Sequence, residues 1–432
     1  MTSGRPAAAV VLLGCPRNRV DAEALLGAFG LAGYAITTQP ALADVVVITT
    51  CAFLSSAVAE SAAAIRRALA ARLVNPGLRV VIAGCMVQRY GRSVLRKFPG
   101  VELAAGVDYL TDIPRLLRLR TSYASSEVPT RVLSRPRLLS TPAHYAYLKI
   151  ADGCSNRCSY CLIPGIRGPL RSRSVPDLVE EAGRLVASGV RELVLVAEDT
   201  TSYGVDRYKH AGLVRLLRRL AGVRGLDWLR LMYAHPSRFT PALMREFDRN
   251  PRLCRYVDLP IQHVNDRVLA RMNRGYRRVD LERLMDRLKA AGVHVRTTVI
   301  LGFPGETDAE FSELLDFLAA MKFERLGAYA FSAETGTRAA TLRPQVPKRV
   351  RQERLTAVMK LQARISRYRL RQLHGKILRV LAERPGLGRT EWDAPDIDGV
   401  VRFRGGTAVP GRFVDVRVTG SGTHDLTGRI VQ

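Results

Sequence analysis

Three cysteines in the middle of the chain are spaced closely enough to hold an inorganic cluster. Cys154, Cys158 and Cys161 form the pattern CxxxCxxC directly after a strand predicted at residues 145–151. Thiolates at these spacings on one loop can surround a single metal centre. A structural zinc site has four ligands and is closed. An iron–sulfur cube held by three thiolates instead leaves one iron open for another ligand, so the loop favours such a cluster.

Three further cysteines lie in the first hundred residues, each shortly after a predicted strand. The strands cover residues 7–13, 44–49 and 79–83, and the cysteines are Cys15, Cys51 and Cys85. Helical patterns at about residues 19–33 and 56–73 separate the strands, which predicts a parallel α/β sheet. Ligands of an open parallel sheet sit outside the carboxyl ends of its strands, so three thiols there could converge on one ligand. The alternative is that all three are buried as small apolar side chains.

A second series of strands and helices follows a linker rich in Ser, Pro and Arg. The predicted strands are residues 145–151, 191–197, 228–233, 256–259, 293–301 and 325–331. Helical patterns lie between several of them, at residues 175–188, 213–220, 281–291 and 308–321. Six βα repeats predict a partial barrel whose loops carry the chemistry at the carboxyl ends of the strands. A long basic helix is predicted at residues 348–373.

The last sixty residues are rich in glycine and in short alternating strands, such as residues 400–403 and 413–418, which predicts a small β-barrel. From His374 to Gln432 the chain has nine basic and seven acidic residues, a net charge of +2. The predicted fold class is therefore α/β with a C-terminal β-barrel. The predicted domains are residues 1–120, a linker at 121–142, the partial (βα)6 barrel at 143–373 and the small barrel at 374–432.

The whole chain is strongly basic. Its 432 residues include 67 Lys and Arg against 39 Asp and Glu, a net charge of +28. Such a charge favours a polyanionic neighbourhood such as RNA or a ribosome, the alternative being an arginine-rich genome. A stretch of ~20 apolar residues, which would predict a membrane span, is not found, and we expect a cytoplasmic protein. Cysteines in that reducing compartment are metal ligands or reactive thiols more often than disulfides.

The cysteine loop and its surroundings resemble the radical S-adenosylmethionine (SAM) superfamily and, within it, the methylthiotransferases. The segments that carry the resemblance are residues 13–18, 20–21, 147–154, 163–164, 167–168 and 172–173. The resemblance covers nearly the whole chain. It implies a [4Fe–4S] cluster on Cys154, Cys158 and Cys161, where SAM binds. It also implies a second [4Fe–4S] cluster in an N-terminal methylthiotransferase domain, on Cys15, Cys51 and Cys85, and a TRAM domain at the C-terminal β-barrel.

Two branches of this family differ in their targets. The RimO type modifies the β-carbon of an aspartate in a protein of the small ribosomal subunit, and the MiaB type modifies an isopentenyl-adenosine beside the tRNA anticodon. The segments at residues 198–204, 258–263 and 393–399 resemble the RimO type. The near-neutral C-terminal barrel also fits a protein target better than RNA. The resemblance thus implies a ribosomal protein and an electron donor as partners, with tRNA, or another peptide target, as the alternative.

Three positions depart from the usual pattern of the family. Thr49 stands where Asn is usual, Ala52 follows Cys51 where Gly is usual, and Glu198 replaces a Gln in a loop with one extra residue. All six candidate ligands are nevertheless present.

Other residues have candidate roles, although no catalytic residue is assigned. Gly302, Gly305 and Glu306 follow a predicted strand, in a loop that the resemblance places near the adenine of SAM, or they form only a tight βα turn. Arg167 and Arg173 could pair with a carboxylate of SAM or of the target.

Two more sets of residues bear on the alternatives. A non-catalytic zinc protein would require a distant fourth ligand, such as His235 or Cys254, although we interpret Cys254 as a core residue. Asp393, Asp396 and Asp398 are available to face a basic ribosomal protein, or they only solvate a loop.

Overall fold

The apolar runs predicted as strands form two parallel sheets in the computed structural model, which describes residues 5–132 and 137–431. The described chain divides into two compact units and passes between them more than once. Unit 1 contains the residues up to 140 together with 151–157 and 161–173. Unit 2 contains residues 141–150 and 158–160 and the chain from 174 onwards. The domain boundaries given above stay a prediction.

Unit 1 is built on a six-stranded parallel sheet in the order β2-β1-β3-β4-β5-β6. Its strands are β1 (Ala7–Leu12), β2 (Ala35–Ile36), β3 (Val45–Thr50), β4 (Arg79–Gly84), β5 (Leu103–Ala105) and β6 (Tyr123–Ala124). Its helices are α1 (Pro16–Leu31), α2 (Ser55–Ala70), α3 (Cys85–Tyr90), α4 (Ser93–Lys97) and α5 (Ile113–Arg118). Strand β3 is buried along its whole length, because apolar side chains cover both faces of the sheet. The predicted parallel α/β fold is confirmed.

The chain then contributes β7 (Tyr145–Lys149) to unit 2 before it returns to unit 1. There it forms a two-stranded antiparallel ribbon of β8 (Ala151–Asp152) and β9 (Arg171–Ser172), with α6 (Ile163–Arg167) between the two strands. The ribbon belongs to unit 1 although its sequence lies inside the predicted barrel.

Unit 2 contains the predicted partial barrel, a parallel sheet in the order β14-β13-β12-β11-β10-β7. Its further strands are β10 (Glu192–Val196), β11 (Trp228–Leu231), β12 (Leu253–Asp258), β13 (His294–Leu301) and β14 (Arg325–Ala330). The helices are α7 (Val175–Ala187), α8 (Val205–Tyr208), α9 (Leu213–Ala221), α10 (Pro241–Arg249), α11 (Asp266–Met272), α12 (Arg278–Ala290), α13 (Asp308–Met321), α14 (Arg338–Thr341) and α15 (Lys348–Arg371). Among the described residues, no helix combines the length and apolar character that a membrane crossing requires.

The C-terminal part of unit 2 is a closed five-stranded barrel in the order β15-β16-β17-β19-β18, as predicted. The strands are β15 (Ile377–Arg384), β16 (Leu387–Thr390), β17 (Val401–Arg404), β18 (Phe413–Ser421) and β19 (Leu426–Ile430). Alternate residues of β17 point inwards, and Val401 and Phe403 pack in the core while Arg402 and Arg404 are exposed.

A carboxylate buried between two arginines joins the two parts of unit 2. The Glu192 carboxylate, at the start of β10, accepts from Arg230 of β11 at 2.6 Å and from Arg389 of β16 at 2.7 Å. All three side chains are at most 2% exposed. Burial raises the pKa of Glu192, but the two guanidinium groups outweigh it and hold the pKa below its usual value. The small barrel is therefore tied to the amino ends of the parallel strands by an ion triad that water does not screen.

The loop between β16 and β17 extends this attachment to the other strands. Asp396 accepts from the hydroxyls of Tyr145 (3.1 Å) and Tyr147 (3.3 Å) on β7. Asp398 accepts from the Tyr256 hydroxyl of β12 at 2.7 Å and from Arg296 of β13 at 2.8 Å.

The same loop also reaches the edge strand. Asp393 pairs with Arg325 of β14, and the Trp392 ring stacks on His294 of β13, with ring centroids 4.3 Å apart. The C-terminal barrel thus contacts all six parallel strands.

These contacts correct the role suggested for the three aspartates. Asp393 and Asp398 are engaged by side chains of the parallel strands rather than held out to a ribosomal protein. Asp396 is exposed, but its carboxylate already accepts from Tyr145 and Tyr147. The pattern of acidic residues in the sequence could not show which way the loop faces.

Replacing Glu192 by Gln is expected to destabilise unit 2 by about 3–5 kcal/mol, because Arg230 and Arg389 then stay buried without their anion. The midpoint of urea unfolding, followed by circular dichroism, measures the change. The matched control is Glu353→Gln, which removes an exposed carboxylate paired with Arg349 and is expected to cost less than about 1 kcal/mol. Equal midpoints for the two variants would contradict the role given to Glu192.

Candidate metal centres

The three N-terminal cysteines lie at the carboxyl ends of three neighbouring strands. Cys15 lies just after β1 at the start of α1, Cys51 directly follows β3, and Cys85 directly follows β4 and begins α3. Because β1, β3 and β4 are adjacent in the sheet, their ends deliver the thiols to one edge of unit 1, as the strand pattern predicts.

Asn18 ties together the loops that carry these cysteines. Its amide nitrogen donates to the Leu13 carbonyl at 3.1 Å and to the Thr50 carbonyl at 3.3 Å. Its amide oxygen lies 3.9 Å from the Cys85 sulfur. Asn18 is buried, so its side chain fixes the spacing of the three strand ends. Sequence reasoning did not single out Asn18 for this role.

Backbone geometry brings the strand ends close together at Gly14. Its φ is +99°, and a Cβ there would lie 2.5 Å from the Asn18 amide nitrogen and 3.3 Å from the Cys51 Cβ. A larger residue would therefore push the Cys15 loop away from Cys51.

Thr50 joins the other two strand ends. Its hydroxyl donates to the Ala83 carbonyl at 2.7 Å and accepts from the Met86 N–H at 3.1 Å. The turn after β4, which carries Cys85, is therefore held to the end of β3.

The unusual Thr49 and Ala52 fit this arrangement. The Thr49 hydroxyl donates to the Val11 carbonyl at 3.2 Å and accepts from the Leu13 N–H at 3.4 Å, which joins β3 to the end of β1. Ala52 is fully buried, and its carbonyl accepts from Arg89. Both departures therefore keep the local structure intact.

The three thiols are close enough to influence one another electrostatically. Burial raises the pKa of Cys85 to about 12, Arg167 opposes this rise, and Cys51 and Cys15 add to it. Burial also raises the pKa of Cys51. A metal that binds these sulfurs must displace their protons, so binding releases protons.

Arg167 is the cation beside this set of thiols. Its guanidinium donates to Asp21 at 2.7 Å, to Asp152 at 3.2 Å and to the Asn18 amide oxygen at 2.6 Å. The residue is 3% exposed. Arg167 was considered as a partner for a carboxylate of SAM or of the target, but two carboxylates of unit 1 already pair with it. The sequence did not reveal this role, because Arg167 is far in sequence from Cys15, Cys51 and Cys85.

Cys154 and Cys161 of the second triplet belong to unit 1, after the ribbon strand β8. The Cys154 sulfur accepts from the Asn156 N–H at 3.4 Å, and the Cys161 sulfur accepts from the Ile163 N–H at 3.5 Å. Backbone N–H groups aimed at sulfur stabilise thiolates and tune iron–sulfur clusters. Gly153, with φ +70°, makes the turn, and a Cβ there would lie 2.1 Å from the Pro169 carbonyl oxygen.

Cys158 belongs to unit 2, where a buried arginine lies against it. The Arg274 guanidinium is 3.4 Å from the Cys158 sulfur and also donates to the Tyr276 hydroxyl and the Pro260 carbonyl. The following residue, Ser159, is held by the Met272 carbonyl at 3.0 Å. Arg274 places a positive charge where a thiolate would form, a role that the sequence did not reveal.

Thiolates are the ligands that iron–sulfur clusters use, and each triplet supplies three of them. Within residues 5–132 and 137–431, no three His, Cys, Asp or Glu side chains converge on one point as the ligands of a single ion do. A [4Fe–4S] cube takes each thiolate at a different iron, so its ligands are spaced more widely than those of zinc. The six cysteines as cluster ligands stay a prediction.

Cys254 and His235, the residues considered as a distant fourth zinc ligand, have other roles in the structure. Cys254 is 1% exposed, which confirms its interpretation as a core residue. His235 receives the Ser237 N–H at its Nδ1, and burial lowers the pKa of His235 to about 3.

The glycine-rich loop after β13 is filled by the protein's own side chains. A Cβ on Gly302 would lie 2.1 Å from the Arg351 side chain, and one on Gly305 would lie 2.9 Å from Arg271. Glu306 is buried, accepts from the Phe303 N–H at 3.0 Å and pairs with Arg354 at 2.7 Å. The geometry is that of a tight βα turn.

The remaining SAM contacts are not tested by this geometry. Binding of SAM by Gly302, Gly305 and Glu306 stays a prediction. Arg173 is buried at the end of the ribbon, and its contact with SAM also stays a prediction.

Three family models match successive parts of the chain. The model described as the radical SAM superfamily matches residues 148–318. The model described as the uncharacterized protein family UPF0004 matches residues 7–106, and the TRAM domain model matches residues 375–431. The matches cover both candidate metal centres and the C-terminal barrel.

Solved structures of low sequence identity share the fold. The radical SAM methyltransferase TsrM from Kitasatospora setae, with cobalamin and a [4Fe–4S] cluster bound, matches with a TM-score of 0.55 at 15% identity, over 76% of this chain and 72% of its own. The cobalamin-dependent SAM radical enzyme OxsB matches with a TM-score of 0.52 at 11% identity, over 83% of this chain and 56% of its own. At these identities the likeness concerns the fold alone.

Curated relatives match almost from end to end. The protein of Desulforudis audaxviator is 45% identical, over 98% of this chain and 96% of its own. That of Pelotomaculum thermopropionicum is 42% identical and that of Trichlorobacter lovleyi 41% identical, each over 98% of both chains. All three carry the name ribosomal protein uS12 methylthiotransferase RimO. This chain therefore belongs to the family of the RimO-type radical SAM methylthiotransferases.

Proposed function

We propose that this protein methylthiolates the β-carbon of an aspartate in ribosomal protein uS12, in the cytoplasm. The observation that carries the proposal is its full-length identity of 41–45% with relatives named for that activity. Both cysteine triplets lie within the matched length. The tRNA-modifying alternative is not favoured, because the relatives above are all named for uS12.

Two [4Fe–4S] clusters, when bound, would supply reductive cleavage of SAM and the methylthio group for transfer. Cys154, Cys158 and Cys161 would hold the first cluster, and Cys15, Cys51 and Cys85 the second. The backbone N–H groups at Asn156 and Ile163 stabilise the sulfurs of Cys154 and Cys161.

Arg274 has a similar task at Cys158. Its guanidinium is held on three sides by Tyr276, Tyr160 and the Pro260 carbonyl. It therefore presents a fixed positive charge to the sulfur and cannot swing away. Its burial also keeps water from that side of Cys158.

In unit 1 hydrogen bonds hold the strand ends that carry Cys15, Cys51 and Cys85 in place without a metal. Asn18 and Thr50 fix the distances between strand ends, and Arg167 supplies a buried positive charge near the sulfurs of Cys51 and Cys85. Asp21 and Asp152 keep Arg167 in place. Pre-organised ligands lose little conformational freedom when a cluster binds.

The proposed function is tested in a strain from which the gene is deleted. Mass spectrometry of uS12 peptides is expected to show loss of the methylthio group, and the tRNA nucleosides are expected to stay unchanged. Expression of the intact chain is expected to restore the modification of uS12. Loss of a methylthiolated adenosine from tRNA, while uS12 keeps its methylthio group, would contradict the proposal.

Loss of one cysteine from each triplet is expected to affect the two reaction products differently. Cys158→Ala should abolish formation of 5′-deoxyadenosine, because the SAM-binding cluster loses one of three ligands. Cys51→Ala should retain 5′-deoxyadenosine formation but lose the methylthiolated product, because Cys51 belongs to the other ligand set, at the ends of β1, β3 and β4. Both products are quantified in one reaction, with Cys254→Ser as the control cysteine variant. Full product from Cys51→Ala would show that the N-terminal cysteines do not deliver sulfur.

Arg167→Gln is expected to lower the reduction potential of the N-terminal cluster, because a buried positive charge near its ligands is removed. The measurement is a redox titration followed by electron paramagnetic resonance, in a Cys158→Ala background so that one cluster is observed. Arg167→Lys should restore most of the potential, and Arg66→Gln, an exposed arginine of the same unit, should leave it unchanged. An unchanged potential in Arg167→Gln, with the cluster present, would contradict this role.

A further inference from the structure

Helices α2, α3 and α4 border a groove on one side of the sheet of unit 1. The groove has a volume of about 490 Å³ and is lined by the apolar residues Val58, Met86, Tyr90, Val94 and Phe98. Met86, Val94 and Phe98 are at most 3% exposed and form its floor, whereas Tyr90 at the edge is 40% exposed. We call this feature the apolar groove. Its size and lining suit an apolar side chain that enters from outside.

Basic side chains stand around the apolar groove. Arg96 and Lys97 line it directly, and the Arg66 guanidinium lies over the ring of Phe98, 5.9 Å from the centroid. All three basic residues are exposed, and we call them the basic rim. Among the residues that the structure describes, no carboxylate forms an ion pair with the basic rim. These charges are therefore left for a partner.

Carboxylates are scarce on this side of unit 1. Residues 55–100 contain eight basic residues and one acidic residue, Glu60. Glu60 is two residues from Val58 on α2, so the two side chains point to different faces of the helix and Glu60 points away from the groove. Glu102, just beyond this segment, pairs with Arg79. The positive potential around the groove is therefore opposed by few local anions.

The apolar groove shares a wall with the loops that carry two of the N-terminal cysteines. Helix α3 begins at Cys85, and the next residue, Met86, lies in the floor of the groove. Arg89 of the same helix donates to the carbonyl of Ala52, next to Cys51, at 2.7 Å. A protein that occupied the groove would therefore touch the helix on which Cys85 lies.

We propose that the apolar groove binds an acidic protein, which places an apolar side chain in the groove and carboxylates on the basic rim. Strong interfaces combine an apolar anchor in a pocket with surrounding polar contacts, and charge complementarity selects the partner. A second copy of this chain carries a net charge of +28 and would be repelled, as would a basic ribosomal protein. An RNA backbone would be attracted to the rim, but its phosphates cannot fill an apolar groove.

The test measures binding of a fluorescent helical peptide of about 18 residues, with leucines on one face and glutamates on the other, to the full chain. The variant R66Q/R96Q/K97Q is expected to weaken binding about tenfold, because three charge pairs are lost. R66K/R96K retains the charges and should bind as the parent does. The matched control R115Q/R118Q/R120Q removes three exposed arginines in and after α5, on the other side of the sheet, and should also bind as the parent does.

A second variant tests the apolar contact separately from the charges. V58S/Y90S is expected to weaken binding of the peptide about tenfold. The salt dependence of binding should stay as in the parent, because the basic rim is intact. A peptide with alanines in place of the leucines should bind the parent and V58S/Y90S equally weakly. Circular dichroism shows whether each variant is folded.

Three results would overturn the proposal. The first is that the parent does not bind the leucine–glutamate peptide, or that the folded rim variant binds it equally well. The second is binding of a single-stranded RNA that is lost in R66Q/R96Q/K97Q and kept in V58S/Y90S, without peptide binding, which would assign the rim to RNA. The third is a dimer in sedimentation that V58S/Y90S dissolves, which would assign the groove to a second copy. These measurements use neither SAM nor uS12, so failure of the proposed function would leave them unaffected.

Discussion

Burying a guanidinium group is costly unless an anion or several hydrogen-bond acceptors lie beside it, and this constraint determines much of the structure. The cost of taking a charge out of water is several kcal/mol unless a partner is held in good geometry. In unit 1 two carboxylates, those of Asp21 and Asp152, bind the single guanidinium of Arg167. In unit 2 a single carboxylate, Glu192, serves two arginines. Each pairing fixes side chains that come from distant parts of the sequence.

The same constraint decides which charges reach the surface. A chain with an excess of basic residues must use its few carboxylates where arginines are buried. The C-terminal barrel uses three of its seven in this way, since Glu383 pairs with Arg389, Asp393 with Arg325 and Asp398 with Arg296. Net charge counted along the sequence does not show this, because it gives equal weight to buried and exposed groups.

Much of the architecture could be predicted from periodicity and from the position of the cysteines. The alternation of apolar runs and helical patterns predicted both parallel sheets, and the cysteines after β1, β3 and β4 followed from strand ends alone. The short strands β2, β5 and β6 were missed, because two or three residues carry no periodic signal. Residues 151–157 and 161–173 belong to unit 1 although they follow β7 of unit 2 in the sequence.

Side-chain partners were the part that sequence reasoning could not supply. Asn18 lies beside the Cys85 sulfur and Arg274 beside the Cys158 sulfur. Both contacts join residues that are far apart in sequence, so no local pattern predicts them. Arg167 and the aspartates near residue 396 were noticed, but their partners lie far away in sequence. A motif shows which groups are present, and only the folded chain shows which of them are already engaged.

The attachment of the C-terminal barrel has a consequence for the newly made chain. Tyr145 of the first barrel strand is separated by 251 residues from Asp396, the carboxylate that accepts its hydroxyl. Synthesis proceeds from the amino end, so the amino ends of the parallel strands stay uncovered until the loop between β16 and β17 is translated. A product shortened by premature termination or proteolysis would keep every cysteine and yet expose buried tyrosine and arginine side chains.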